Sequence, residues 1–394
     1  MSKVASAGEV FLVFLKLGLT SFGGPIAHLG YFRDEFVGRR GWFDDRQYAD
    51  LVALCQFLPG PASSQVGFAI GLLRAGPLGA AAAWTGFTLP SAILMVVFAL
   101  GAAAIDGRLA QGVIHGLKLV AVAVVAQAVL GMAKSLTPDR TRAGLAVLAV
   151  LAMVVLPGAL GQIGAILIGA MLGLVLCRTV GEAVVPAAPV PVSRRFGLAM
   201  LALFLILLAV LPLLAGLSQG LAIFDTFYRA GALVFGGGHV VLPLLEAGTV
   251  GQGWLTDSQF LAGYGAAQAM PGPLFTFAAY LGAAGAFPPN GWGGAAIALV
   301  AIFLPGCLIL LAALPFWGRL RASPVAQAAM RGANASVVGI LALALYDPVI
   351  KSAVLSPLDF TLALAGFVAL VSWKAPPIAV VLALGAAGGV LGLL

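Results

Sequence analysis

The chain has 394 residues, 61% of them hydrophobic and only 9% charged, with three cysteines, three histidines and a formal net charge of +7. Soluble domains carry about 25% charge, so this chain has too little to solvate a globular surface, and its mean hydropathy of +1.09 agrees. The figures exclude an ordinary soluble domain, a disulfide framework and a basic nucleic-acid binder.

The first apolar segment, Phe11 to Phe22, is expected to be retained and not cleaved as a signal, because Glu9 and Lys16 interrupt what would be its apolar region. It ends in Phe22, Gly23 and Gly24, followed by Pro25 and His28. A charged run of Arg33, Asp34, Glu35, Arg39, Arg40 and Arg46 comes next, with Trp42 inside it. Two short apolar pieces, Tyr48 to Leu58 and Ser63 to Leu73, flank the break Pro59, Gly60, Pro61. None of these pieces spans a bilayer comfortably, since a spanning helix needs about 20 apolar residues. They predict half-helices or re-entrant hairpins. Long apolar runs then follow as far as Cys177. A Pro/Ala/Val-rich linker carrying Arg194 and Arg195 leads to one further apolar helix, Phe196 to about Gly216.

The pattern then begins again. Phe11, Phe14 and Gly18 match Phe224, Phe227 and Gly231, and Lys16 falls on Arg229. Phe235, Gly236 and Gly237 repeat the first break, with His239 just after it. Gly41 to Pro61 matches Gly253 to Pro273, so that Gln56 faces Gln268 and Gly60 faces Gly272. Gly116 faces Gly332. The domains are read as residues 1–178, a linker with an extra helix at 179–219, and a second copy at 220–394. The basic residues change sides between the copies. The loop holding Arg33, Arg39, Arg40 and Arg46 has a counterpart, His239 to Gln259, with no Lys or Arg. Cytoplasmic loops are enriched in Lys and Arg, so the bias predicts inverted topology with a cytoplasmic N-terminus. The expected fold is an all-α polytopic membrane protein of two inverted repeats with broken helices and roughly 10–13 membrane segments.

Each Pro-Gly-Pro break precedes an expected helix start, where free N–H groups and the positive dipole end suit an anion. Hydroxyl and amide donors lie nearby: Ser63, Ser64 and Gln56 in the first copy, Thr276 and Gln268 in the second. Lys16 and Arg229 read either as buried countercharges for the anion or as side chains reaching the interface. His28, His239, Arg33 and Glu35 read as gating or coupling groups, or as structural histidines and a solvated topology signal. The expected anion site comprises Lys16, Gly23, Gly24, Gln56, Gly60, Pro61, Ser63, Ser64, Arg229, Gly236, Gly237, Gln268, Gly272 and Thr276. No catalytic signature is visible, and no metal, cofactor or nucleic acid is expected; the partners are a small anion and the bilayer, with a homodimer as one open arrangement.

At these residues the chain resembles the chromate ion transporter family in its long, two-domain form. Phe22, Gly23, Gly24, Pro25, His28, Arg33, Glu35, Trp42, Gln56, Pro59, Gly60 and Pro61 carry the resemblance, and the second copy resembles that family's second domain. The resemblance implies a prokaryotic inner-membrane protein that exports chromate, with sulfate as its natural competitor. The second copy departs at Gly238, where the first has Pro25, and lacks the arginines. The rivals are the same fold carrying sulfate or another oxyanion, an anion channel, and an intramembrane enzyme.

Overall fold

The computed structural model describes residues 6–22, 24–104, 107–156, 159–178, 192–235 and 238–393. These residues contain helices and no strand. The first half runs α1 (Ala7–Thr20), α2 (Gly24–Arg33), α3 (Asp45–Phe57), α4 (Ala62–Ala104), α5 (Arg108–Leu136), α6 (Arg140–Val155) and α7 (Ala159–Leu176). The extra helix is α8 (Arg194–Leu214). The second half runs α9 (Gln219–Ala232), α10 (Val241–Thr249), α11 (Asp257–Ala267), α12 (Phe277–Ala284), α13 (Gly291–Ala313), α14 (Trp317–Ala322), α15 (Pro324–Ala344), α16 (Lys351–Ala353), α17 (Pro357–Val371) and α18 (Pro377–Leu393). Five stretches are long and apolar enough to cross a membrane: Ala62–Gly101, Arg108–Leu136, Arg194–Leu217, Gly291–Leu320 and Pro324–Ala353. Shorter apolar helices accompany them, and the chain is an all-α polytopic membrane protein.

The short elements form where they do for local reasons. Asp44 caps α3 by accepting from the Gln47 N–H at 2.7 Å, while Gln47 Oε1 accepts from the Asp44 N–H. Thr256 and Gln259 build the same capping box at the start of α11. Such boxes satisfy N–H groups that a helix start would otherwise orphan. The apolar piece after Pro61 is a short helix that ends at Ala75 and Gly76, where the backbone leaves helical geometry, and a second helix starts at Pro77. The two fold back on each other, since a Cβ at Gly71 would run into the Gly79 carbonyl; α4 names both parts.

The halves interlock. Within each half the first helix lies on a long one: α1 on the second part of α4, and α9 on α13. The later helices cross over instead. α5 packs against α17 and α18 of the second half, and α15 packs against α6 and α7 of the first. Gly116 and Gly332 sit at these crossings. A Cβ at Gly116 would run into the Leu384 carbonyl, and one at Gly332 into the Gly169 carbonyl. Lipid gives helices no hydrophobic drive to associate, so close backbone approach at small residues supplies the packing. Phe14, Phe32, Phe36 and Phe87, all almost fully buried, pin α1, the α2 segment and α4 together through ring contacts 5.1 to 6.4 Å apart.

Candidate anion site between the two halves

The two Pro-Gly-Pro breaks dock reciprocally. The Gly60 N–H donates to the Val234 carbonyl at 2.8 Å, and the Gly272 N–H donates to the Ser21 carbonyl at 2.8 Å. Each break therefore grips the chain just before the Phe-Gly-Gly of the other half. Both glycines need a left-handed backbone, with φ 116° at Gly60 and 88° at Gly272. Pro61 and Gln65 complete the first contact: Gln65 Nε2 donates to the carbonyls of Pro59, at 2.9 Å, and Gly306, at 3.0 Å.

Beside the second contact lies a cavity of ≈ 60 Å³. It holds about four water-sized occupants, the size class of a tetrahedral oxyanion. Gly24, the first residue of α2, lines it, as do Gln127 on α5, His239, Gln268 and Gly272. Val124, Ala267, Met270, Leu274 and Pro377 supply the apolar wall. Both halves thus contribute. The candidate donors lining it are the backbone of Gly24 at the start of α2, where Pro25 itself has no N–H, and the side-chain amides of Gln127 and Gln268. Gln268 Nε2 is buried and has no hydrogen-bond partner. His239 Nδ1 lies 2.6 Å from the Tyr264 hydroxyl, leaving Nε2 for an occupant. Among the described residues the lining contains no carboxylate and no Lys or Arg. Side-chain amides and a helix N-terminus are groups that suit an anion.

The residues expected from the sequence divide accordingly. Gly24, His239, Gln268 and Gly272 come together at this cavity. Gly23, Gly236 and Gly237 lie outside the described residues. Gly60 and Pro61 form the mirrored contact with Val234 and Gly306. Ser63 is buried 3.4 Å from His28 Nδ1, and His28 itself is fully buried, edge-on to Phe87 with centroids 5.2 Å apart. Ser64 is buried with its hydroxyl unpartnered. Thr276 is buried but donates to the Pro273 carbonyl at 2.8 Å, closing its own turn. A 3-10 turn, Leu274–Thr276, replaces the helix start expected after the second break. Gln56 is exposed, unlike Gln268.

The two basic residues do not converge. Lys16 is exposed on the face of α1 that also shows Leu12 and Leu19, because its register points away from α4. Arg229 is taken by Asp225, one helical turn earlier, with Nη2 2.6 Å from Oδ2 and Asp225 only 3% exposed. Arg229 borders a separate cavity of ≈ 30 Å³ with Thr226 and Gly248. The buried countercharges expected from the sequence are thus one outward lysine and one arginine already neutralised. Glu35 holds Arg39 at 3.0 Å and Arg40 at 2.7 Å, and Arg40 also reaches Glu9 at 2.8 Å. These ion pairs fasten the charged run to α1.

Gln127 and Tyr264 were missed. Gln127 had a signal, as the one amide in the apolar run from Leu119 to Met132. Tyr264 had none, since its link to His239 exists only in the folded chain.

A single family model, described as Chromate transporter, matches this sequence twice, over residues 8–174 and 221–390. The chain belongs to the chromate transporter family. It is a transporter of this family and not an enzyme. The chromate transport protein of Pseudomonas aeruginosa is 30% identical over 392 residues, covering 96% of this chain and 91% of that protein. The probable chromate transport protein of Synechococcus elongatus is 31% identical, covering 92% and 88%. The chromate transport protein of Cupriavidus metallidurans is 27% identical, covering 84% of this chain and 80% of that protein. No solved structure matches the chain significantly.

Proposed function

We propose that this chain carries chromate out of the cytoplasm as a secondary transporter, binding the dianion in the cavity between its halves. The observation that carries the reading is the cavity itself, lined by Gln127, Gln268, His239 and the start of α2 and, among the described residues, by no carboxylate that would repel an anion. Membership of a family whose relatives are named chromate transport proteins supports the substrate. Sulfate has the same charge and shape and competes for the same donors.

Two inverted repeats rocking about the cavity would provide alternating access. The double match to one family model and the reciprocal docking of Gly60 on Val234 and Gly272 on Ser21 support that reading. The arginine-rich loop after α2 lies in the cytoplasm, as does the N-terminus, in the inner membrane of a prokaryote. No ATP-binding motif is present in the sequence. Moving one charge through 100 mV is worth about 2.3 kcal/mol, so a dianion leaving a negative interior gains roughly twice that, enough to hold about a thousandfold gradient.

Everted vesicles test this directly. Labelled chromate should be taken up, sulfate should compete, and collapsing the membrane potential should suppress uptake. No uptake, or uptake indifferent to potential, would sink the mechanism. Single-channel currents would replace the carrier with a channel.

A further inference from the structure

The two halves treat the histidine after their Phe-Gly-Gly breaks differently. His28 is fully buried against Phe87, with Ser63 at 3.4 Å from Nδ1. His239 instead lines the anion cavity, and its Nδ1 meets the Tyr264 hydroxyl at 2.6 Å. Counted from Gly41 and Gly253, Val52 stands where the second copy has Tyr264, so the first half has no hydroxyl there. Tyr264 is held in place. It is fully buried on α11, with its ring edge-on to Phe277 and the centroids 5.6 Å apart. The next residue, Gly265, lies so close to α5 that a Cβ there would strike the Leu117 carbonyl. α11 therefore cannot roll to carry the phenol away from the imidazole.

This bond decides what the imidazole offers the cavity. A neutral histidine has one N–H and one lone pair, and the partner of one nitrogen sets the role of the other. Among the described residues the Tyr264 hydroxyl has one hydrogen-bond partner, Nδ1. Gln268, one turn further along α11, acts on the phenol oxygen as a donor, although its Nε2 stops short of a full hydrogen bond. A proton on Nδ1 would be donated to the phenol oxygen and would strand the phenol's own proton, and a buried O–H without an acceptor is costly. The phenol therefore donates to Nδ1, and the imidazole proton sits on Nε2. Toward the cavity His239 is a donor with no lone pair to offer.

Tetrahedral dianions differ in what they need from such a group. At pH 8 chromate and sulfate carry no proton, and all their oxygens accept. Hydrogen phosphate and hydrogen arsenate have the same charge and shape but carry one O–H, which needs an acceptor. Among the described residues, the side chains lining the cavity that have a nitrogen or oxygen lone pair are Gln127, Gln268 and His239. An amide can turn either end to an occupant, whereas the imidazole cannot while the phenol holds Nδ1. We propose that Tyr264 is a positioning residue that sets specificity: by keeping His239 a donor, it makes the cavity prefer tetrahedral dianions without a proton over those that carry one. This selectivity rests on the anion-site reading above and not on the direction or driving force of transport.

Binding tests it in detergent at pH 8, read as the rise of the thermal midpoint with sulfate or with phosphate concentration. The wild type should bind sulfate at least about tenfold more tightly than phosphate, because an O–H set against an N–H leaves both unpaired. Tyr264→Phe keeps the ring against Phe277 but frees Nδ1, so the imidazole proton can change nitrogens and Nε2 can accept. The ratio should then fall to about threefold or less. His239→Gln, which offers either end of an amide, should lower the ratio in the same way with Tyr264 in place, and it decides the matter if Tyr264→Phe does not fold. Tyr280 donates to the Gln259 carbonyl at 2.8 Å and does not line the cavity, so Tyr280→Phe should keep the wild-type ratio. Equal binding of the two anions by the wild type, an unchanged ratio in Tyr264→Phe or His239→Gln, or an equal fall in Tyr280→Phe overturns the role of Tyr264. No stabilisation by sulfate, phosphate or chromate overturns the anion site and this role with it. The expected ratios without uptake in everted vesicles overturn transport alone.

Discussion

Gln127 and Gln268 are the residues on which affinity should depend. A hydrogen bond to a charged group contributes about 1.5–3 kcal/mol, so Gln127→Leu should raise the chromate KM by about ten- to a hundredfold with little change in expression. Initial uptake rates against concentration measure it. Arg229 has a different role. Asp225 is almost fully buried, its Oδ1 has no partner, and its Oδ2 meets Arg229. Removing one member of a buried pair costs about 3–5 kcal/mol because the other charge is stranded. Arg229→Ala should therefore lower the thermal midpoint and yield, and adding Asp225→Asn should restore much of both. Fluorescence-detected melting separates this from a ligand role, in which the double variant would stay inactive yet stable. The basic residue repeated at Lys16 and Arg229 was visible in the sequence, but its meaning was not. Whether a charge on a helix faces a cavity, a carboxylate or the outside depends on what packs against each face.

At the scale of elements, the breaks act as clasps more than as ligands. Gly272 combines φ 88° with a Cβ position 3.0 Å from both the Phe87 carbonyl and Ser91 Oγ. Gly272→Ala should lose the Ser21 bond and destabilise the protein by about 1–3 kcal/mol through backbone strain, read as a lower melting midpoint in detergent. The sequence placed the break residues and the short helices around them, because proline, glycine and capping residues act within a few positions of themselves. It did not show that a 3-10 turn follows Pro273, since that depends on neighbours that close the space around it.

The whole molecule is held together by exchange between its halves. α5 lies on α17 and α18, α15 on α6 and α7, and each Pro-Gly-Pro break seats on the opposite half. If the copies are inverted, single cysteines placed after Arg40 and after Gly251 in a chain lacking Cys55, Cys177 and Cys307 should label from opposite faces of the membrane. Labelling from one face would refute inversion.

Composition alone determined that this chain belongs in a bilayer, because 9% charge cannot cover a soluble surface. Its internal match fixed the paired breaks, and with them Gly24, Gln268, Gly272 and His239 as residues worth following. Only the tertiary structure decided that these four meet Gln127 at one cavity, that Lys16 faces outward and that Arg229 is already paired. Propensity and periodicity act along the chain, over a turn or two of helix. A cavity between halves is made by contacts across some two hundred residues of sequence, and no local pattern encodes which faces will meet.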